Sequence, residues 1–272
     1  MNDQITKEQL RYFTREGYVR LGQVASNTEL DQLCERIDDI MLGIANVNYD
    51  KMMMQLDSSN GLGTAPGPQS YGFKGATLGY RKIQDLENDD LFLQYLKKPL
   101  FKSICKEIYG LQTRIACFRA MFMNKPAGDG THLVWHQDRW TNLDRDPKVT
   151  IWTALDQATV ANGCVHIVPK SHQRLINDEH GSGFLTADQI EEMLNKSKPQ
   201  ALELQAGEVV LLHNWLLHSS DTNNTDLPRR AFSVCYIDAA TRAQNGHVFP
   251  VVFEVDKPNV KSDICGNELE SV

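Results

Sequence analysis

Near residue 111 the hydrophobic pattern of this chain changes period, and few folds accommodate what lies on the two sides of that change. Beyond it the period is 2. Residues 114–123 alternate, and residues 148–156 alternate cleanly. There Val149, Ile151, Thr153 and Leu155 face one way, and Thr150, Trp152 and Ala154 the other. Further short strands are expected over 164–168, 202–204, 208–213 and 231–237. Turn signals separate them at Asn162-Gly163, Pro169-Lys170-Ser171-His172 and Ala206-Gly207. Many short strands with such punctuation predict a sandwich or barrel. The absence of strand–helix alternation argues against a doubly wound parallel sheet.

Before residue 111 the pattern is largely helical. Thr6-Lys7-Glu8-Gln9 is a capping box followed by Leu10 and Phe13 and closed by Gly17. A short strand is expected at 18–21. Ser26-Asn27-Thr28-Glu29 caps a second helix with Leu30, Leu33, Ile37, Met41 and Ile44 at helical spacing. Residues 45–79 are dense in glycine and proline, including Gly61 and Gly63, and are expected to form a lid. Met52-Met53-Met54 at its start reads as packing. Tyr80-Arg81-Lys82-Ile83, taken alone, reads as a solvated basic turn. Helices follow over 89–97 and 99–109, the second opened by Pro99 and stopped by Gly110. The expected architecture is mainly β, a jelly roll backed by N-terminal helices. We expect one domain over 1–272: helical support and lid over 1–110, the jelly-roll core over 111–240, and a C-terminal extension over 241–272.

Composition excludes several functions. Apolar residues make up 41% of the 272, enough for a sizeable core. A net charge of −7 and the lack of any basic run of five argue against nucleic acid and anionic membrane as partners. No stretch of 18 apolar residues occurs, so no span is expected. The polar start and six cysteines without a C-x-x-C predict reduced thiols and a cytoplasmic protein acting on a small molecule.

His136-Gln137-Asp138 carries the chemistry. Residues i and i+2 of a strand share a face, so an imidazole and a carboxylate can converge on one ion. Alone, H-x-D is short and common, and a surface His near a solvated Asp is its ordinary meaning. A third ligand must come from elsewhere: His218 lies 80 residues past Asp138, with His213 as the alternative. Two His and one carboxylate on one side of an ion suit non-haem Fe(II) oxygenases. Arg229, 11 residues beyond His218, can return along a neighbouring strand and bind a carboxylate bidentately. That spacing implies a 2-oxo acid as well as a metal. Of the other histidines, His166 could face pocket or core, His172 is read as a turn residue, and His132, His180 and His247 as surface.

With these residues in view, the sequence resembles the phytanoyl-CoA dioxygenase family of Fe(II)/2-oxoglutarate oxygenases over roughly residues 5–240. The matching stretches are Met121-Phe-Met-Asn-Lys-Pro126, Trp135-His-Gln-Asp138, Trp152-Thr-Ala-Leu-Asp156, Asn162-Gly-Cys-Val165 with Val168-Pro-Lys-Ser-His172, and His218-Ser-Ser220 through Arg229. The resemblance implies a double-stranded β-helix, a cupin-like jelly roll. It implies Fe(II) on His136, Asp138 and His218, and 2-oxoglutarate on Arg229, Lys82, Met121, Trp152 and Ser220. Gln137, between two of these ligands, is grouped with the cosubstrate residues. The implied reaction consumes O2 and 2-oxoglutarate, releases succinate and CO2, and oxidises a C–H bond. Related halogenases lack the carboxylate; Asp138 fills that position here, so hydroxylation or another oxidation of a C–H bond is the expected outcome.

Arg139 and Trp140 follow Asp138, and Arg119 shares an alternating face with Met121. All three are expected to bind substrate. Two arginines beside one small pocket favour an anionic group. The expected substrate is a small anionic or zwitterionic metabolite, for example an aminoalkylphosphonate. The alternatives are an acyl-CoA or natural-product intermediate, a jelly roll that only binds metal or ligand, and another cupin-type metalloenzyme.

Overall fold

Thr6 and Ser26 start the first two helices as their capping boxes predict. In each, the hydroxyl accepts a bond from the backbone N–H three residues on, and the side chain there reciprocates. Helix α1 (Lys7–Glu16) ends at Gly17 in the left-handed region. Strand β1 (Tyr18–Gln23) follows, then α2 (Asn27–Leu42). Leu30, Leu33, Ile37, Ile40 and Met41 of α2 are buried; Ile44, expected on the same stripe, lies past the helix end and is 70% exposed. The computed structural model describes residues 3–57, 66–128 and 130–255. Residues 58–65 of the expected lid, with Gly61 and Gly63, lie outside the described residues, as do 256–272 of the expected extension, with Cys265.

The stretch expected to be a lid contains regular structure. Strands β2 (Met53–Leu56) and β3 (Ser70–Tyr71) pair with each other, and β2 pairs with β4 (Tyr80–Gln84). The basic turn expected at 80–83 is therefore a strand, with Tyr80 and Ile83 fully buried. Met52, Met53 and Met54 are buried, the first and third within the main core. Helices α3 (Asp90–Leu96) and α4 (Pro99–Tyr109) precede β5 (Ile115–Lys125).

The remaining strands are β6 (Leu133–His136), β7 (Val149–Ala154), β8 (Val165–Ile167), β9 (Gln200–Leu202), β10 (Glu208–His213), β11 (His218–Ser220), β12 (Arg229–Asp238) and β13 (Val251–Phe253), with helix α5 (Ala187–Lys196) before β9. All pairings are antiparallel. One sheet runs β1-β10-β7-β12-β5-β4-β2-β3, with β13 also on β5; the other runs β6-β11-β8-β9. This is the mainly β jelly roll with flanking helices.

Two apolar layers set where the site can be. Helices α2, α3 and α4 cover one face of the larger sheet, packing Leu33, Ile37, Phe92 and Phe101 against Val149, Ile151, Phe122 and Phe232. The other face meets the smaller sheet through Trp152, Val210, Val165 and Ile167. The alternation of β7 divides as the sequence predicts, Val149 and Ile151 toward the helices and Trp152 toward the second sheet. In β5, Ala120 and Phe122 enter the helix-side core, whereas Arg119, Met121, Met123 and Lys125 line a cavity between the sheets. A bulge at Phe118 then reverses the faces, so Cys117 and Ile115 join the helix-side core. The five described cysteines are free, and four of them are buried. Among the described residues no helix is long and apolar enough to cross a membrane.

Candidate active site

The end of β6 and the start of β11 pair directly, with His136 opposite His218. Their rings lie 4.1 Å apart between centroids. Asp138 follows two residues after His136, and its backbone N–H donates to Asn214 O at 2.8 Å. One ligand atom from each of His136, Asp138 and His218 falls within 4.8 Å of the others. The H-x-D pair and the distal histidine are thus brought to one point.

The protonation pattern suits a metal. His136 Nδ1 lies 2.9 Å from Val134 O, and His218 Nδ1 lies 2.8 Å from Leu216 O. A carbonyl only accepts, so each Nδ1 carries a proton and Nε2 is the ring nitrogen left to ligate. Burial, and then His218 beside it, push the pKa of His136 down to about 3, against the pull of Asp138. A histidine held neutral is ready to ligate. Phe184 stacks on the His136 ring at 4.8 Å and covers one side of it.

Gln137 points elsewhere. Expected with the cosubstrate, it is fully buried outside the cavity. Its Nε2 donates to Arg174 O at 2.9 Å and to Trp215 O at 2.6 Å, and its Oε1 accepts from Ile176 N at 2.7 Å. Its backbone N–H donates to Gly183 O at 3.0 Å. The alternation that turns His136 and Asp138 inward turns Gln137 outward, where it ties three loops behind the site.

A cavity of about 350 Å³ opens from this cluster between the sheets. Lys82, Met121, Trp152, Ser220 and Arg229 all line it. Arg229 is 2% exposed, and its Nε and Nη1 have no hydrogen-bond partner. Burial pushes its pKa down to about 10. Its guanidinium lies 5.7 Å from the Trp152 ring, whose Nε1 is also buried without a partner. Buried donors normally find acceptors. Two groups at one end of the cavity that lack them fit an anion. Arg230, the next residue, faces the other way and pairs with Asp156 at 2.8 Å and Asp38 at 2.9 Å.

Six cationic side chains line the cavity: Arg81, Lys82, Arg119, Lys125, Arg139 and Arg229. Asp138 is the one carboxylate lining it among the described residues. Burial, then Arg119 and Arg81, push the Lys82 pKa down to about 8. Arg119 lies 5.0 Å from the Trp140 ring and 5.6 Å from that of Phe118. Arg139 donates to Asp178 O. Among the described residues, no carboxylate lies within ion-pair distance of Arg119, Lys125 or Arg229.

His213 also lines the cavity but stands apart from the ligand cluster. Its Nδ1 accepts from Trp215 N at 3.0 Å and its ring lies 5.0 Å from that of His172. His172 accepts nothing at Nδ1, and its Nε2 lies 3.2 Å from Thr14 O. His166 is half-buried between Val165 and Ile167, which face the inner core, so it points outward. His132, His180 and His247 are exposed.

The residue pattern gave no hint of several cavity residues. Asn214, Phe184 and Arg81 lie in segments without periodicity or on a bulge. Lys125 carried a usable signal, because continuing the alternation of Arg119, Met121 and Met123 reaches it.

The family model described as phytanoyl-CoA dioxygenase (PhyH) matches residues 13–231, the greater part of the chain. The chain is 27% identical over 256 residues to "Phytanoyl-CoA dioxygenase 1" of Oryza sativa subsp. japonica, covering 86% of this chain and 89% of that protein. In structure it is similar to EctD from S. alaskensis with 2-oxoglutarate and 5-hydroxyectoine, with a TM-score of 0.69, 19% identity, and 89% of this chain and 80% of that one covered. It is also similar to SnoK, a non-heme alpha ketoglutarate dependent carbocyclase from nogalamycin biosynthesis, with a TM-score of 0.65, 20% identity, and 89% and 87% covered. At such identities the structural likenesses speak for the fold.

Proposed function

The chain belongs to the phytanoyl-CoA dioxygenase (PhyH) family of non-haem iron, 2-oxoglutarate-dependent dioxygenases, and on that premise we propose that His136, Asp138 and His218 hold Fe(II) while Arg229 holds the far carboxylate of 2-oxoglutarate. The observation that carries this reading is the joint one. Three ligand atoms lie within 4.8 Å of one another, and buried Arg229 and Trp152 N–H groups without partners lie in the same cavity. Two imidazoles and one carboxylate leave the remaining positions of an ion open, as an oxygenase requires. A module that merely bound metal would not need the second feature.

When bound, Fe(II), 2-oxoglutarate and O2 together supply the oxidant: the 2-oxo acid becomes succinate and CO2, and the second oxygen atom enters a substrate C–H bond. The chain's own residues bind and orient. Val134 O and Leu216 O fix the two imidazoles through Nδ1, so each Nε2 faces the open side. Asn214 O holds the backbone of Asp138. Arg229 anchors the cosubstrate's far end, and Ser220 lines the same cavity. Lys82 and Met121 line its flank and Trp152 forms a wall. Phe184 over His136 limits water at the centre. Gln69, within the expected lid, also lines the cavity.

For the substrate, the cavity's charge supports an anionic metabolite, with Arg119, Arg139 and Trp140 contacting it. Arg229 accounts for one anion; half-buried Arg119 has aromatic faces but, among the described residues, no carboxylate, which leaves it available to a second anion. An aminoalkylphosphonate meets this charge requirement through its phosphonate. Its ammonium would rest on the Trp140 or Phe184 faces, since Asp138 is the sole lining carboxylate among the described residues. The names of the curated relatives favour a second reading, an acyl-CoA, whose phosphates would also meet the cations. Succinate release separates the two. The protein is given Fe(II), 2-oxoglutarate and O2 with a panel of small phosphonates, phosphates and carboxylates, and separately with acyl-CoAs. Stimulation by a small anion supports the first reading, and stimulation by acyl-CoA alone replaces it.

A further inference from the structure

Lys125 closes β5 directly opposite Arg229 at the start of β12. Both line the cavity, and they are 4% and 2% exposed. Directly opposed like charges repel, and at this depth of burial solvent screens them less than at the surface. Among the described residues neither has a carboxylate within ion-pair distance. Lys125 Nζ makes one bond, donating to Thr131 O at 2.7 Å. An ammonium has three donors, so among the described residues two are left without a partner. The nearby Asp57 is already engaged by Gly130 N at 3.0 Å, Thr131 N at 3.1 Å and Thr131 Oγ1 at 3.0 Å.

The surrounding backbone makes room for this side chain. Gly130 and Gly163 both have positive φ, +97° and +77°. A Cβ on Gly130 would meet Lys125 Cβ at 2.9 Å, and one on Gly163 would meet Lys125 Cδ at 2.7 Å. The lysine stem therefore passes between two glycines to reach the cavity. A lysine serving only to fasten the 126–131 loop could do so from the surface.

We propose that Lys125 is a second cationic anchor for the far carboxylate of the 2-oxo acid, shared with Arg229 across the β5–β12 pair. The inference rests on the cosubstrate reading above and deepens it. Two cations on one carboxylate favour a doubly charged 2-oxo acid over one with an uncharged tail. Burial, and then the neighbouring Arg229 and Arg81, push the Lys125 pKa down to about 7, and a carboxylate between the two cations would favour its charged form.

The test compares two ligands by anaerobic calorimetric titration of the Fe(II)-loaded protein: 2-oxoglutarate, and 2-oxopentanoate, which lacks the far carboxylate. Lys125→Met is expected to weaken 2-oxoglutarate binding roughly ten- to hundredfold while leaving 2-oxopentanoate within about twofold. Lys125→Arg is expected to restore most of the preference. Equal loss for both ligands would make Lys125 a structural residue, and no loss for either would remove it from the site; either result overturns the proposal. Lys125→Gln, which keeps a donor toward Thr131 O, gives the same comparison if the Met variant does not fold. Arg229→Met separates the two levels of the argument. If it leaves 2-oxoglutarate binding intact, the cosubstrate reading itself fails. If it alone weakens binding, only the role of Lys125 fails.

Discussion

Arg229 and Arg230 adjoin in sequence and meet opposite surroundings, so they should respond oppositely to mutation. Arg229→Ala removes the buried donors without partners and should cost about 2–5 kcal/mol of 2-oxoglutarate binding with Fe(II) binding nearly intact, measured by anaerobic titration. Arg230→Ala breaks the pairs to Asp156 and Asp38 behind the sheet. It should lower stability by about 1–3 kcal/mol in urea unfolding and leave cosubstrate affinity unchanged. Matching effects in the two variants would contradict the strand register. Gln137 shows where residue-level reading stopped short. Its place between two ligands suggested a cosubstrate role, but strand alternation sends it outward, and only the folded chain reveals the carbonyls of Arg174 and Trp215 waiting there. Gln137→Leu strands those groups and should cost roughly 3 kcal/mol of stability or more, with 2-oxoglutarate affinity in the folded fraction little altered.

Among the elements, β7 and β12 were legible because their two faces meet different surroundings, and the alternation of Thr150 and Trp152 against Val149 and Ile151 records the difference. Strand β2 was hidden because Met53, Met54 and Gln55 are all buried, which leaves no alternation to read. Strand β3 has two residues, too few for a period. Strand β4 looked like a solvated turn because Arg81 and Lys82 are charged, yet both line an interior cavity. The loop behind H-x-D gives an element-scale test. Gly183 has φ +68°, and a Cβ there would meet the Gln137 carbonyl oxygen at 1.9 Å. Gly183→Ala should therefore displace Gln137, lower stability by about 1–3 kcal/mol and reduce Fe(II) loading. Gly246 has a similar φ, +77°, with nothing within 4 Å, so Gly246→Ala should carry the smaller backbone cost and leave Fe(II) loading unchanged. Equal Fe(II) loading in both variants would remove the loop from the site's support.

At the scale of the whole molecule, we read the described chain as one domain: a single apolar cluster runs from Ile5 to Phe253. The interior cations give it a pH signature. The folded pKa of Lys125 is about 7 and that of Lys82 about 8, against an ordinary 10.5. From pH 7 upward the unfolded chain holds protons that the folded chain has released, so these groups make stability rise with pH. Each contributes a slope of up to roughly 1.4 kcal/mol per pH unit. Urea unfolding of the ligand-free protein between pH 7 and 8.5 should show a flatter or lower slope in Lys125→Met than in wild type. Bound 2-oxoglutarate should flatten the wild-type slope too, because an anion favours the protonated lysine. An identical slope in wild type and variant would contradict the buried-cation account. The cationic cavity as a whole was not legible from a net charge of −7, since composition does not say which charges fold inward. The central claim is that His136, Asp138 and His218 make this cavity an oxygenase site, and succinate release tests it most directly. Anaerobic protein loaded with Fe(II) and 2-oxoglutarate is mixed with O2, and succinate and remaining 2-oxoglutarate are quantified. Wild type should convert 2-oxoglutarate to succinate one for one, and His218→Ala should not. Unconsumed 2-oxoglutarate in wild type, across the substrate panel, or wild-type conversion by His218→Ala would contradict the assignment.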